Sequence, residues 1–362
     1  MNTKPKLAIL LVMLMVIISG ILVNLYLNSN NILGSGELHS KNDDYSIKKI
    51  RFPFRHFTSM QIEGNKLYAC VDSKGTGSLD KLIQYDIVKG DYEVLFETEF
   101  SPSALQNLMM NEKWSIWLDC TMGWEKIRIY RQDRSNDEVK MIYQLDSSFS
   151  NLDTPYLYND YLCWTSYDAQ KHVLRLKLYD LMTDEMEDIY EFEMASHYNS
   201  YPEMNQDKLV FTDNISEKGV YLVLDLNTRE LETYEAQCKY PAFAAHSGGK
   251  IIFRPLDDYR VWSRKNFGIY DTASREHAEL EFSSPPSRFT VKDDMMAVLI
   301  HDEDADYVEL YKIETSGIRE VAQTPPQEDL CWYGFSYSGE LIVGYSPMDR
   351  DMAEIYILST AN

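Results

Sequence analysis

Residues 64–71 read GNKLYACV, a two-residue turn followed by a short apolar stretch with the character of a β-strand. The same combination recurs six more times, with turns that begin at residues 111, 159, 206, 248, 293 and 338. A second marker, an apolar stretch centred on Tyr or Leu, follows each turn, at residues 85, 130, 179, 224, 270, 311 and 356. Both series repeat every 45 residues or so, roughly the length of one propeller blade, and they indicate seven copies of one unit.

Each unit carries signals for four short antiparallel strands. After the second marker comes a polar turn such as residues 89–91, and a further short strand such as residues 92–97 follows it. Proline lacks a backbone donor and suits a connection or the first residue of a strand. Proline precedes the first strand of every unit, at Pro53, Pro102, Pro155, Pro202, Pro241, Pro285 with Pro286, and Pro325 with Pro326. The sequence therefore predicts an all-β fold, a seven-bladed β-propeller of four-stranded antiparallel blades.

The seventh unit lacks a fourth strand, because its third strand is followed only by the last few residues of the sequence. Residues 45–52, YSIKKIRF, have strand character and precede the first unit without belonging to one. Closing a ring of blades removes sheet edges that would otherwise be exposed. We therefore expect residues 45–52 to supply the outer strand of the seventh blade.

One repeat carries a family resemblance. Residues 334–341, GFSYSGEL, resemble the W/F-S-P-D-G-x-x-L/I pattern of TolB-like and WD40-like propeller repeats, and the resemblance covers about residues 45–362 at the level of the superfamily. It implies a rigid ring that serves mainly as a binding platform. A fold of this kind does not by itself fix an activity.

The overall charge excludes one large class of partners. The chain has 35 Lys and Arg against 57 Asp and Glu, which gives a net charge of -22. A chain this acidic is repelled by the phosphate backbone of nucleic acids. We therefore predict no nucleic-acid partner.

The N-terminal residues predict where in the cell the protein is located. Residues 7–27 form an apolar run of 21 residues preceded by Lys4 and Lys6. A helix of that length spans about 30 Å, the thickness of a bilayer core, and the positive-inside rule keeps the lysines in the cytoplasm. We predict a cytoplasmic N-terminus (1–6), a single transmembrane signal anchor (7–27), a flexible tether (28–44) and an extracytoplasmic propeller ectodomain (45–362). A cleaved signal peptide is the alternative.

The sequence contains few motifs typical of catalytic or metal-binding sites. The five cysteines lie far apart and without C-x-x-C spacing, and Cys70 and Cys163 fall inside apolar strand patterns, which favours buried thiols that act as small hydrophobes. Residues 301–306, HDEDAD, have the alternating carboxylates of a calcium loop but lack its later ligands, so a solvated hairpin loop is favoured. We predict no metal, no cofactor and no assigned catalytic residue.

Two function classes follow. The first is a non-catalytic binding or scaffolding module for a protein, peptide or glycan at the cell surface. The alternative is a lyase or hydrolase of cell-envelope or extracellular polymer, with its site at the channel mouth. The short turns offer little for a ligand, whereas the opposite loops carry Trp, Tyr, Arg and His side chains, the first three of which often anchor interfaces. The candidate ligand-binding residues are Arg55, His56, Trp124, Tyr167, His197, Tyr198, Tyr259, Arg260, Trp262 and Arg264.

We expect the full-length chain to remain in the membrane fraction after an alkaline wash, because the apolar run of residues 7–27 is long enough to span a bilayer. Fractionation and immunoblotting measure this, with a variant lacking residues 7–27 as the control. Mature protein in the medium that starts near residue 21 would contradict the anchor and support cleavage.

Overall fold

The protein is described from a computed structural model that covers residues 37–39, 45–146, 150–152, 155–168, 170–193, 201–256, 267–282, 284–302, 305–315, 317–348 and 351–360. Within these ranges, no helix has the length and apolar character needed to cross a membrane. The predicted anchor at residues 7–27 lies outside the described residues. The described chain forms seven antiparallel sheets, so the prediction of a seven-bladed propeller is confirmed.

The first three blades follow one another along the chain, and in each the first strand is innermost. In blade 3 the innermost position is shared by two short strands, β11 and β12, which both pair with β13. The strands in chain order are β1 (Glu37–His39), β2 (Tyr45–Phe52), then blade 1 with β3 (Phe57–Glu63), β4 (Lys66–Val71), β5 (Lys81–Asp86) and β6 (Tyr92–Glu97), blade 2 with β7 (Gln106–Met110), β8 (Trp114–Cys120), β9 (Lys126–Asp133) and β10 (Glu138–Asp146), and blade 3 with β11 (Ser150–Leu152), β12 (Tyr156–Tyr158), β13 (Tyr161–Asp168), β14 (Val173–Asp180) and β15 (Glu185–Glu191).

The next three blades repeat the meander, and blade 7 ends the described chain. The predicted turns at residues 206, 248 and 293 each join a first strand to a second. The strands are, in blade 4, β16 (Glu203–Asn205), β17 (Lys208–Ile215), β18 (Lys218–Asp225) and β19 (Leu231–Glu235), in blade 5, β20 (Tyr240–Ser247), β21 (Lys250–Leu256), β22 (Gly268–Asp271) and β23 (Glu276–Glu279), in blade 6, β24 (Pro286–Lys292), β25 (Met295–His301), β26 (Asp306–Glu314) and β27 (Gly317–Gln323), and in blade 7, β28 (Leu330–Phe335), β29 (Leu341–Tyr345) and β30 (Ala353–Thr360).

Blade 7 is completed by the N-terminal strand, as the sequence predicts. β2 pairs antiparallel with β30 over its whole length, from Tyr45 opposite Thr360 to Phe52 opposite Ala353. β1 then pairs with the outer edge of β2. Around the axis, the innermost strands contact one another in a closed cycle, since β28 contacts β3 just as β3 contacts β7. The ring is therefore closed by residues from the two ends of the described chain.

The core lies between the blades. The buried apolar residues form seven clusters, and each cluster joins two neighbouring blades. Second strands are covered on both faces by adjacent blades, which is why every residue of β8 is buried. Cys70 and Cys163 are fully buried in two of these clusters, and both thiols are free, as predicted.

Phe52 is central to the contact between blades 7 and 1. Its side chain is 0% exposed, and its ring lies 5.3 Å from the ring of Phe54, 5.6 Å from that of Phe57 and 5.5 Å from that of Tyr85. Tyr85 is the second marker of the first unit, so the closing strand packs against the repeat that follows it.

We expect Phe52→Ala to lower the free energy of unfolding by about 3–5 kcal/mol, because it removes a buried aromatic ring and leaves a cavity at the closure. Chemical denaturation of the purified full chain measures the change. Val88→Ala, at a position that is 66% exposed, is the matched control. Equal denaturation midpoints for the two variants would mean that the closure does not hold the ring together.

Candidate functional site

The axis of the ring is a channel with a large cavity at one end. This end is the turn face, where turns join first strands to second strands. The cavity measures about 750 Å³, within the range of small-molecule and peptide pockets. Its lining includes Gln61, Asn107, Asn111, Glu112, Lys113, Tyr156, Tyr158, Asn159, Asp160, Asn205, Lys292, Asp293 and Tyr337. Amide, hydroxyl and charged groups from six blades therefore converge here, and several of them belong to the turns.

A smaller cavity lies at the opposite end, the connection face, where the chain enters each first strand. It measures about 540 Å³ and is lined by residues of blades 5, 6 and 7. Thr290, Trp332 and Tyr333 line both cavities, so they form the waist between the two halves of the channel. Burial raises the pKa of the Tyr333 hydroxyl well above its usual range, so this group stays protonated at neutral pH. The two cavities are therefore adjacent, with these three residues between them.

Side-chain amides cap the inner sheet edges that face the channel. The Gln61 amide donates to the carbonyl of Phe335 at 3.5 Å and accepts from the Tyr337 N–H at 3.1 Å. Across the axis, the Asn205 amide donates to the Asp293 carbonyl at 2.9 Å and accepts from its N–H at 3.0 Å. Both amides are buried. An inner edge has backbone groups with no further strand to pair with, and these amides satisfy some of them.

Glu203 lies on β16, the innermost strand of blade 4, beside two residues that line the larger cavity. It accepts hydrogen bonds from the Tyr156 hydroxyl and from the Val291 N–H, both at 3.3 Å. Burial raises its pKa to about 8, and the two hydrogen bonds oppose the rise only in part. Desolvation disfavours the charged form, so Glu203 is mostly protonated at pH 7. A protonated carboxyl can donate as well as accept a hydrogen bond.

Two arginines line the smaller cavity. Arg254, at the end of β21, is buried and donates from Nη1 to the carbonyl of Ser287. Arg288, on β24, is exposed within the cavity lining. Burial lowers the pKa of Arg254, and the nearby positive charge of Arg288 lowers it further. Two cationic groups therefore lie close together in this end of the channel.

The Asp-rich loop also reaches the smaller cavity. His301 and Asp306, its first and last residues, both line the cavity, and His301 Nδ1 lies 2.5 Å from Asp306 Oδ1. Among the described residues, no group of three or more His, Cys, Asp or Glu side chains could hold a metal ion.

The candidate residues predicted from sequence lie in several places. Arg55 accepts a hydrogen bond from Ser346 at its carbonyl, at 2.6 Å, and His56 is exposed. Trp124 is partly exposed in the hairpin between β8 and β9, and the Tyr167 hydroxyl lies 3.2 Å from His172 Nδ1. None of these four described residues lines either cavity. The other candidates lie outside the described residues, so their role stays a prediction: His197, Tyr198, Tyr259, Arg260, Trp262 and Arg264.

Sequence reasoning missed the channel residues, although it contained a usable signal. Glu203 directly follows Pro202, Tyr156 follows Pro155, and Arg288 comes two residues after Pro286. These prolines mark the start of first strands, and first strands line the channel of a propeller. Polar residues just after such prolines were therefore the positions to examine.

Comparison with known proteins supports the fold. No protein-family model matches the sequence, and no curated protein matches it either. The β-propeller domain of the Trilobed protease from Pyrococcus furiosus, described as having an open velcro topology, is 12% identical with a TM-score of 0.54 and covers 91% of this chain and 95% of that one. In this chain, β2 closes the ring.

Two further structures are similar. Oligogalacturonate lyase from Vibrio parahaemolyticus is 11% identical with a TM-score of 0.56, covering 90% of this chain and 96% of that one. TolB from Acinetobacter baumannii is 14% identical with a TM-score of 0.46, covering 88% and 81%. The β-propeller fold expected from the sequence is therefore confirmed. At such low identity, the likenesses show the fold alone.

We expect Glu203→Gln to raise the melting temperature at pH 8 and to change it little at pH 5. The pKa of Glu203 rises from an ordinary 4.5 in the unfolded chain to about 8 in the folded one. Its contribution to stability is therefore complete below pH 4.5 and is lost as the pH rises towards 8. Glutamine keeps the neutral shape without binding a proton.

Thermal unfolding of both proteins between pH 5 and 8 checks this, with exposed Glu138→Gln as the control. A difference between Glu203→Gln and wild type that does not vary with pH would show that Glu203 is ionised in the folded protein.

Proposed function

We propose that the protein is a membrane-anchored, extracytoplasmic propeller that binds a protein, peptide or glycan at the cell surface through its axial channel. The observation that carries the proposal is the pair of adjacent cavities, of about 750 and 540 Å³. Concave sites with convergent polar groups are the usual places for ligands in proteins. The membrane location rests on the apolar run at residues 7–27.

An extended peptide segment is the ligand that best fits the lining. The two cavities lie one after the other, since Thr290, Trp332 and Tyr333 line both of them. Inner sheet edges present backbone N–H and C=O groups, which pair readily with an added peptide chain. Asn107, Asn111 and Asn159 add uncharged donors and acceptors around the larger cavity.

The loops of the connection face remain part of the proposal. Tyr259, Arg260 and Trp262 belong to the longest hairpin predicted there, and aromatic and Arg side chains often dominate interface energies. A ligand that leaves the smaller cavity would emerge on this face. Replacing all three by Ala would separate capture by the loop from capture by the channel.

The second candidate is a lyase or hydrolase of cell-envelope or extracellular polymer. One observation favours it: Glu203, which accepts hydrogen bonds from Tyr156 and Val291 of the cavity lining, has a pKa raised to about 8 and could act as a proton donor. The two candidates differ in one readout. An enzyme would release unsaturated or hydrolysed products from a polymer, and Glu203→Gln would abolish that release.

We expect a photo-reactive benzoyl-phenylalanine at Glu112 or Thr290 to crosslink one defined partner in whole cells, because both positions line the larger cavity. The same residue at Val88, which is 66% exposed in the turn between β5 and β6 and lines neither cavity, is the control. Mass spectrometry identifies the partner and the crosslinked site.

Crosslinks that form from Val88 as strongly as from Thr290 would contradict binding in the channel. Polymer cleavage by the purified full chain that is lost in Glu203→Gln would replace the binding proposal with the enzymatic one.

A further inference from the structure

The waist between the two cavities consists of three side chains that each carry one polar group. Thr290 lies on β24 of blade 6, and Trp332 and Tyr333 lie on β28 of blade 7. All three are partly buried and line both cavities. A ligand chain that occupies both cavities therefore passes these side chains.

The polar groups of the waist are available to a ligand. Within the described part of the chain, no other residue forms a hydrogen bond with the Trp332 indole N–H, the Tyr333 hydroxyl or the Thr290 hydroxyl. Tyr and Trp side chains in partly buried positions usually find a partner for their polar end. The groups of the waist instead face the space of the channel.

Other tyrosine hydroxyls of the channel are already engaged. Tyr156 donates to the carboxyl of Glu203 at 3.3 Å, and Tyr337 donates to Glu63 at 2.6 Å. Both tyrosines line the larger cavity. The waist thus differs from the rest of the lining, because its polar groups are not used to join one blade to another.

The waist offers hydrogen-bond donors. An indole N–H can only donate, and burial keeps the Tyr333 hydroxyl protonated by raising its pKa. A ligand in this place therefore has to bring acceptors, such as carbonyl oxygens. An ordinary peptide brings an N–H with nearly every carbonyl, and each N–H then needs an acceptor of its own. Proline brings a carbonyl without an N–H.

Packing holds the two aromatic rings of the waist in place. Trp332 packs against the apolar cluster between blades 7 and 1, and Tyr333 packs against the cluster between blades 6 and 7. The indole lies over Gly334, where a Cβ atom would be only 2.9 Å from Trp332 Cζ2. Fixed aromatic surfaces suit proline rings, and a polyproline II segment loses little conformational entropy when it binds.

We propose that the waist binds a proline-rich segment in the polyproline II conformation, whose carbonyl oxygens accept hydrogen bonds from Trp332 and Tyr333 and whose rings pack on these two side chains. This inference rests on the proposed function, since it names the kind of peptide that the channel recognises. An uncharged segment of this kind also avoids repulsion by the acidic exterior and by the charged groups of both signs in the lining.

The test is isothermal titration calorimetry on the purified full chain, with acetylated and amidated hexaproline as the probe. Two uncharged probes of the same length isolate the parts: hexasarcosine keeps the tertiary amides but lacks the ring and the preformed conformation, and a glycine–serine hexapeptide restores the N–H groups. We expect hexaproline to bind at least about tenfold more tightly than either one, because ring contacts and preorganisation both contribute.

Three results of the titrations overturn the proposal. The first is equal affinity for hexaproline and either of the two comparison peptides. The second is no binding of hexaproline at millimolar concentration. The third is tighter binding of maltohexaose, a neutral oligosaccharide, than of hexaproline, which would favour a glycan instead.

Two conservative variants localise the binding. Tyr333→Phe removes only the hydroxyl, and Trp332→Phe removes the indole N–H while it keeps an aromatic ring. Each should weaken hexaproline binding about three- to tenfold, the usual effect of one lost hydrogen bond. Tyr92→Phe is the matched control and should leave the affinity unchanged, since Tyr92 is 48% exposed on β6 and lines neither cavity.

Unchanged hexaproline binding in either waist variant overturns the proposal, and a melting temperature equal to that of the wild type shows that the variant is folded. The outcome is separable from that of the proposed function. Channel crosslinking that persists while hexaproline does not bind would retain the binding role and reject proline recognition. Hexaproline binding that depends on Tyr333, without any channel crosslink in cells, would retain the proline site and reject the partner proposed for the channel.

Discussion

The antiparallel pairing of β2 with β30 is the constraint on which the rest of the structure depends. A blade buries its two faces only against its neighbours, and the seven apolar clusters all lie between blades. An open ring would leave one pair of faces uncovered and expose the outer edge of blade 7, which is a site for aggregation. The eight residues of β2 prevent both, and Phe52 anchors them against blade 1. Opening the ring would therefore lower the stability of every blade.

On the inside of the ring, the blades are joined by hydrogen bonds between polar groups. These groups also form part of the channel lining. Gln61 joins blade 1 to blade 7, and Asn205 reaches from blade 4 to blade 6. At the turn face, Glu63 accepts hydrogen bonds from the Tyr337 hydroxyl and from Arg134, both at 2.6 Å, so blades 7, 1 and 2 meet in one network. The hydrogen bonds that hold the ring together thus also fix the channel lining, and a ligand meets rigid groups.

The fold could be predicted from the sequence because its signals are local. A turn followed by an apolar strand, such as residues 64–71, can be recognised from its own sequence, without knowing which strands it will pair with. The orphan strand at residues 45–52 was identified for the same reason. The lining of the channel could not be predicted, for a different reason. The first strands contain irregularities in register, for example between Thr58 and Gln61 and between Ala242 and Ala245.

Each irregularity changes which side chains face the axis, because alternate residues of a strand point to opposite sides. Ser59 and Phe243 have positive φ values of 56° and 52° at these points. The residue types at these positions do not predict a bulge. Simple alternation along the strand therefore could not identify which side chains face the axis. The raised pKa of Glu203 was equally hidden, since it comes from burial among residues of other blades.

The charge distribution restricts the ligands that suit the channel. The chain as a whole is strongly acidic, so an anionic ligand is repelled at long range, although salt reduces this repulsion beyond about 8 Å under physiological conditions. The described lining of the two cavities contains both signs of charge, with Glu112, Asp160, Asp293 and Asp306 together with Lys113, Lys292, Arg254 and Arg288. A polyanion would be disfavoured by the exterior, and a strongly charged segment of either sign would meet like charges in the lining. A largely neutral segment avoids both kinds of repulsion, so the charge pattern favours an uncharged stretch of chain as the ligand.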